Sequence, residues 1–154
     1  VRSRRTNMTD VILKAMLNTY PKAEFAALNG GAIRVDDIVG PGPITEYDVF
    51  RIMPFPDKAM QVKLTGAQMK MMIEKREEDK GHGEYLQLLN RKGEIPNVAD
   101  YVDDKIYPVA MNSYISKGTV NFLPFLDCAK LPLKSCDTGP DVRRAIITFL
   151  GKRK

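Results

Sequence analysis

The first regular pattern of apolar residues, over residues 7–20, predicts a helix. Its apolar side chains recur at the spacing of one buried helix face: Met8, Val11, Ile12, Ala15 and Met16. Pro21 predicts the end of this helix, because a proline ring does not fit in a helix interior. The apolar run at residues 25–28 then predicts a short strand, which the turn-forming sequence Asn29-Gly30-Gly31 ends.

In the middle of the chain, capping signals and one alternating run predict two helices and a strand. Thr45, with Asp48 three residues later, predicts the N-cap of a short helix that continues through Arg51. A half-buried strand is indicated by apolar residues that alternate with polar ones: Met60, Val62 and Leu64. The capping box Thr65-Gly-Ala-Gln68 predicts the start of a helix. The charged residues 75–80 are expected to form the solvated end of that helix.

Two further strands and a last helix complete the predicted elements. The strands are expected at residues 85–89 and 105–111, and Pro108 is expected to place the second strand at an edge or a bulge. The helix is expected at residues 141–150. Strands and helices do not alternate strictly, so we expect an α+β fold, with a mixed sheet packed by helices. The whole chain, residues 1–154, is expected to form one domain.

The composition indicates a globular domain but does not indicate its function. The chain of 154 residues is 44% hydrophobic and 28% charged, as in ordinary globular domains. Its net charge of +5 fits either a solvated cationic surface or an anionic partner, such as a phosphorylated metabolite or nucleic acid. The sequence starts with Val1-Arg-Ser-Arg-Arg5, without an initiator Met. We therefore expect a fragment or a processed product.

The residues that could perform catalysis are too few and too scattered. His82 lies between two glycines without a nearby nucleophile motif, and the carboxylate pairs lack the histidines of a two-metal site. Cys128 and Cys136 can close a small disulfide loop in an oxidising compartment, but with one histidine they cannot form a zinc site. We therefore expect a domain that binds rather than catalyses, with no cofactor of its own.

A candidate anion site follows the first strand, in Asn29-Gly-Gly-Ala-Ile-Arg34. Gly30 and Gly31 allow the backbone to come close to a ligand, and Arg34 can grip a phosphate with two hydrogen bonds. Arg2 and Arg4 point to the same side if the start of the chain is extended. Taken alone, an Asn-Gly-Gly sequence is more often just a turn, and Arg2 and Arg4 also fit a frayed chain terminus.

Two aromatic residues in predicted loops, Phe55 and Tyr114, could stack on a planar base, although each could also belong to the core.

Seven short motifs follow one another along the chain: Arg2-Ser-Arg-Arg-Thr-Asn-Met8, Leu28-Asn-Gly-Gly-Ala-Ile-Arg34, Pro43-Ile-Thr45, Met53-Pro-Phe55, Leu64-Thr-Gly-Ala-Gln68, Gly83-Glu-Tyr-Leu-Gln87 and Asn112-Ser-Tyr114. In this order, they resemble the C-terminal domain of the 5′-nucleotidase family, over residues 1–122. That family includes UDP-sugar hydrolases and ecto-5′-nucleotidases.

The resemblance implies that one domain carries out catalysis and a second domain binds the substrate. An N-terminal metallophosphoesterase domain, absent from this chain, would carry two divalent metals and the catalytic residues. This domain would hold the nucleotide and present its phosphate to those metals. The resemblance also implies a periplasmic, extracellular or cell-surface location.

The same resemblance implies a role for each candidate residue. Phe55 and Tyr114 would sandwich the base, and Asn29 would form a hydrogen bond with it. Arg2 and Arg34, together with Arg4, would bind phosphate oxygens or ribose, and the backbone of Gly30 and Gly31 is the candidate anion site already given by the loop itself.

One departure from the family pattern leaves alternative functions open. Val120 stands where the family has an aspartate that binds the ribose hydroxyls, and valine has no acceptor in its side chain. This change fits a degenerate binding or scaffold module without catalysis. A third hypothesis, a polyanion or nucleic-acid binder, is based on the net charge and the clustered arginines.

Overall fold

The computed structural model describes residues 7–32, 45–54, 56–78, 86–116 and 136–152. Helices and strands follow one another along these residues as α1 (Asn7–Thr19), β1 (Phe25–Asn29), a 3-10 turn (Gly30–Ala32), α2 (Glu46–Ile52), β2 (Lys58–Thr65), α3 (Gly66–Glu78), β3 (Leu86–Asn90), a 3-10 turn (Val98–Asp100), β4 (Ile106–Asn112), α4 (Ser113–Ser116), β5 (Cys136–Asp141) and α5 (Val142–Lys152).

The strands of the described residues form one mixed sheet in the order β3-β1-β4-β2-β5. β1 and β4 are parallel, and the other neighbouring pairs are antiparallel. Apolar residues cover both faces of the sheet: Ala26 and Leu28 of β1 pack in a cluster with α1, α2 and α5, and Phe25 and Ala27 pack on the side of α3. The predicted α+β fold with a mixed sheet is confirmed.

The predicted helix starts are confirmed by the hydrogen bonds at two capping boxes. At α2, the Asp48 N–H donates to Thr45 Oγ1 at 3.1 Å, and the Thr45 N–H donates to Asp48 Oδ2 at 2.9 Å. At α3, the Gln68 N–H donates to Thr65 Oγ1 at 3.2 Å, and the Thr65 N–H donates to Gln68 Oε1 at 2.9 Å. Each box provides acceptors for backbone donors that a helix start leaves without partners.

The expectation that Pro108 marks an edge or a bulge is wrong, because β4 is a central strand between β1 and β2. The Pro108 carbonyl accepts a hydrogen bond from the Glu24 N–H at 2.8 Å. Since the nitrogen and carbonyl of one strand residue point to the same side, the proline nitrogen also faces the β1 side. The pairing of β1 with β4 begins beyond this point, at Ala26. The missing N–H therefore leaves the ladder with β2 intact.

Two other expectations need correction. Arg76, expected in a solvated helix end, is buried, because it lies one turn beyond Met72 on the inward face of α3. The apolar pattern also predicts no strand at β5, which is a mostly exposed edge strand with the turn-like sequence Asp-Thr-Gly-Pro. Cys136 in β5 is disulfide-bonded, and Cys128, the other cysteine of the chain, lies outside the described residues.

Burial of Tyr101 makes the free energy of unfolding decrease as the pH rises through the alkaline range. Its ring, 7% exposed, packs edge-on against Phe25 and Tyr107, with centroids 6.0 Å and 5.3 Å away. Burial raises the pKa of Tyr101 to about 12, and the carboxylates of Glu24 and Asp100 add to the rise. Above pH 10 the unfolded chain therefore releases this proton while the folded chain keeps it. Folding stability is fully present below about pH 10 and falls as the pH rises towards 12.

We expect a loss of about 2 kcal/mol between pH 10 and pH 12 from this residue. Denaturant unfolding at a series of pH values would measure it, and Tyr101→Phe should remove this part of the slope. Tyr47, which is 73% exposed, gives the matched control, and Tyr47→Phe should leave the slope unchanged. An equal slope in wild type and Tyr101→Phe would show that other groups cause the alkaline loss.

Candidate functional site

The ends of the parallel strands β1 and β4 bring two of the sequence motifs to the same edge of the sheet. Ala26 pairs with Ala110, and Ala27 pairs with Met111, so both strands end at this edge. Asn29 and Gly30 follow from β1, and Asn112 is the last residue of β4. Ligands of sheets with parallel strands commonly bind beyond such carboxyl ends. This edge, which we call the recognition edge, is therefore the place to look for a site.

A buried amide joins the two strand ends. The Asn112 side-chain nitrogen donates hydrogen bonds to Asn29 Oδ1 at 2.8 Å and to Asp57 Oδ2 at 2.9 Å. Asn112 is fully buried and Asn29 is 6% exposed. Among the residues that the structure describes, none forms a hydrogen bond with Asn112 Oδ1. Asn112 is therefore held through its nitrogen, between an amide on one side and a carboxylate on the other.

Asp57 lies just before β2 and connects several segments at the recognition edge. Its Oδ1 accepts hydrogen bonds from Ser113 Oγ at 2.8 Å and from the Tyr114 N–H at 3.1 Å. Its backbone carbonyl accepts from the Val142 N–H at 2.8 Å, at the start of α5. Ser113 Oγ in turn accepts from the Lys58 N–H at 2.9 Å. One short segment thus ties the start of β2 to the starts of α4 and α5.

Tyr114 lies on the single turn of α4, with buried neighbours on either side. Ser113 and Ile115 are buried, whereas the Tyr114 side chain is 39% exposed. The backbone of this residue is therefore anchored while its ring reaches the surface beside the recognition edge. An anchored and partly exposed aromatic ring is suited to stacking on a flat ligand.

Helices α1 and α5 also start at the recognition edge. The Val142 N–H bonds to Asp57 at this edge, and at the other end of α5 the Lys152 Nζ donates to Asn18 Oδ1 near the end of α1. The two helices therefore run in the same direction. Consequently Asn7, the first residue of α1 and a member of the first sequence motif, lies towards the recognition edge.

An ion pair at the start of α5 fixes α2 beside it. Arg143 bonds Asp141 through its guanidinium at 2.8 Å, and its backbone N–H donates to Asp141 Oδ1 at 2.9 Å. These Arg143 hydrogen bonds lower the pKa of the Asp141 carboxyl. The same guanidinium lies 4.5 Å from the centre of the Phe50 ring on α2. This contact holds α2 against the start of α5.

The structure places some of the predicted site residues, and others lie outside its described part. Asn29, Gly30 and Gly31 lie at the end of β1, and Tyr114 lies across the recognition edge from them. The predicted residues outside the described part are Arg2, Arg4, Arg34 and Phe55. The motif at Leu64–Gln68 lies at the opposite edge of the sheet, where it caps α3. Its role is therefore structural.

Sequence reasoning missed the three polar residues that organise the edge: Asp57, Asn112 and Ser113. Asn112 and Ser113 belonged to a recognised motif, but only the following tyrosine was given a role. A signal was available in Asn112, because a polar residue that ends an apolar strand needs a buried partner. Asp57 gave no such signal, since an aspartate before a strand usually faces solvent.

Two searches of the described residues give negative results. No group of three or more His, Cys, Asp or Glu side chains lies close enough there to hold a metal ion. The described helices are also too short or too polar to cross a bilayer.

Residues 1–127 match the family described as 5′-nucleotidase, C-terminal domain. The chain belongs to this family. A trifunctional nucleotide phosphoesterase from Bacillus subtilis is 30% identical to it, over 84% of this chain and 10% of that protein. The chain thus spans a small part of this relative's length.

Solved structures share the fold at lower identity. A 5′-nucleotidase precursor from Thermus thermophilus superposes with a TM-score of 0.78 at 22% identity, over 100% of this chain and 34% of that one. The NAD nucleotidase of Haemophilus influenzae gives a TM-score of 0.72 at 20% identity, over 95% of this chain and 30% of that one. The chain therefore corresponds to about a third of each structure.

Proposed function

We propose that this chain is the nucleotide-recognition domain of a 5′-nucleotidase-type phosphohydrolase. In this proposal, Tyr114 and Phe55 stack on the two faces of the base, and Arg34 with Arg2 and Arg4 binds phosphate or ribose. An N-terminal metallophosphoesterase domain of the same polypeptide supplies two divalent metals and the catalytic residues. The chain itself, residues 1–154, binds and positions the nucleotide.

The observation that carries the proposal is the convergence of three of the family motifs, in their described residues, on one edge of the sheet. Asn29 ends β1 and Gly30 follows it, Tyr114 follows β4, and β3 begins at Leu86, opposite Asn29. These segments are far apart in the sequence, and the pairing of β1 with β3 and with β4 brings them together. Their meeting beside an exposed aromatic ring supports a common ligand.

The hydrogen bonds at the recognition edge refine the expected role of Asn29. Its Oδ1 already accepts a bond from the buried Asn112 amide. The Asn29 side-chain nitrogen is therefore the group that we expect to reach a ligand, as a donor to an acceptor atom of the base. Gly30, also buried, brings its backbone to the same point without a side chain in the way.

We expect the chain to bind at least one of AMP, UMP and UDP-glucose in a calorimetric titration. Tyr114→Ala should then weaken binding by about 1–3 kcal/mol, because the base loses a stacking partner. Tyr114→Phe keeps the ring and should change the affinity by less than about 0.5 kcal/mol. Ile106→Ala is the matched control, since this exposed residue lies at the opposite end of β4 and should not affect binding.

The proposal fails if none of the three nucleotides binds at millimolar concentration. Such a result would favour the scaffold module that Val120 suggests, in which the ribose contact is lost. Binding of RNA or DNA with a steep dependence on salt would instead favour the polyanion binder. Equal affinities of wild type and Tyr114→Ala would remove Tyr114 from the site.

A further inference from the structure

Asp57 has a half-buried carboxylate that the predicted recognition residues do not include. Its two oxygens accept hydrogen bonds from three donors: the Asn112 amide, the Ser113 hydroxyl and the Tyr114 backbone N–H. A carboxylate accepts about four hydrogen bonds, so most of its capacity is used within the protein. A negative charge beside a phosphate would also oppose binding. A role in holding the protein fits these contacts better than a direct contact with a nucleotide.

The single turn of α4 needs an external anchor. A helix of four residues is not stable by itself, because nucleation costs more than one turn of hydrogen bonds returns. The turn is closed by the Ser116 hydroxyl, which donates to the Ser113 carbonyl at 3.0 Å. The Asp57 carboxylate binds the opposite, amino end of this turn, where helices favour negative charge.

We propose that Asp57 is the positioning residue that fixes Tyr114 for stacking on the base. This inference rests on the proposed function, because it assigns Asp57 to the same ligand site. Asp57 acts through two routes that both begin at its carboxylate. One is direct, to the backbone of Tyr114 and the Ser113 hydroxyl, and the other runs through Asn112 to Asn29 on β1. A single carboxylate therefore sets the aromatic and amide sides of the recognition edge relative to each other.

The first test compares nucleotide affinities in a double-mutant cycle. Wild type, Asp57→Ala, Tyr114→Ala and the double variant are titrated with the nucleotide that binds the wild type most tightly. Asp57→Ala should weaken binding by roughly fivefold to a hundredfold, because the Tyr114 ring and, through Asn112, the Asn29 amide both lose support. In the Tyr114→Ala background, the same change should have a clearly smaller effect, because only the route to Asn29 remains. Equal effects of Asp57→Ala in both backgrounds would overturn the proposal.

The second test needs no ligand and measures hydrogen exchange of the α4 amides. In Asp57→Ala, the Tyr114 amide should exchange at least about tenfold faster, because its acceptor is lost, while Val109 in β4 keeps its protection. An unchanged Tyr114 amide would overturn the positioning role. If wild type binds no nucleotide, the proposed function fails, and exchange still decides whether Asp57 holds α4.

Two further variants test whether a loss of affinity in Asp57→Ala comes from general destabilisation of the fold. Asp57→Asn keeps the shape of the side chain and one oxygen acceptor, so it should lose less affinity than Asp57→Ala. It should still bind more weakly than the wild type, because its amide nitrogen must face a donor of Asn112 or of α4. Gln68→Ala removes a cap at the other end of β2 and should speed exchange only at the start of α3, without changing nucleotide affinity. A loss of affinity in Gln68→Ala equal to that in Asp57→Ala would mean that the effect is general destabilisation.

Discussion

Gly66→Ala is expected to destabilise the fold by about 3 kcal/mol or more, because there is no space for a side chain at this position. A Cβ atom there would overlap the carbonyl oxygen of Val102 and lie 2.5 Å from its carbonyl carbon. The loop cannot simply retreat, since the Gly66 N–H donates to the Lys105 carbonyl at 2.9 Å and the Ala67 N–H donates to Asp103 at 3.2 Å. Urea unfolding of both proteins would measure the loss.

Gly151→Ala provides the matched control for this prediction. No atom lies within 4 Å of a Cβ built at Gly151, in the last turn of α5. Alanine favours a helix over glycine by up to about 1 kcal/mol, so this variant should be neutral or slightly more stable. A Gly66→Ala protein as stable as Gly151→Ala would show that residues 102–105 do not lie against α3 as described.

Arg91→Met should destabilise the protein by about 2–3 kcal/mol through loss of the hydrogen bonds that end α1. The guanidinium donates to three backbone carbonyls: Leu17 at 3.1 Å, Ala23 at 2.9 Å and Tyr20. The Leu17 carbonyl lies in the last turn of α1, where carbonyls have no partner within the helix, and the Tyr20 carbonyl also accepts from the Ala23 N–H at 3.1 Å. Thermal unfolding would measure the effect.

Lys92→Met tests whether loss of a positive charge, rather than loss of these hydrogen bonds, lowers the stability. Lys92 is the neighbouring exposed cation, and its replacement should change stability by less than about 0.5 kcal/mol. Arg91→Lys should recover only part of the loss, because an ammonium group lacks the planar fork that reaches three carbonyls. If Arg91→Lys is as stable as the wild type, the positive charge rather than the fork is the important feature.

The elements that follow local rules were predictable from the sequence. The helix face of α1, the alternation of β2 and the two capping boxes depend on residues within a few positions of one another. Pro108 and β5 were not predictable in this way. The place of Pro108 depends on where the distant β1 starts to pair, and β5 has no apolar alternation because it is an exposed edge.

For the candidate site, the sequence shows which motifs take part but not the hydrogen bonds that connect them. Asn29 and Tyr114 were chosen for their residue types and order, and the fold brings both to the recognition edge. The role of Asp57 depends on three partners located 55–57 positions later in the chain. No local pattern encodes such a separation, so only the folded backbone shows that this aspartate is central.

The bond between Asn29 and Asn112 also links the recognition edge to the order of folding. The two residues are 83 positions apart, and they meet only after the parallel pairing of β1 with β4 has closed the centre of the sheet. Closing a loop of this length costs chain entropy, which the strand pairing must offset. Because the two residues cannot meet before this pairing, the site is complete only when the centre of the sheet is, and ligand affinity therefore reports completion of the sheet.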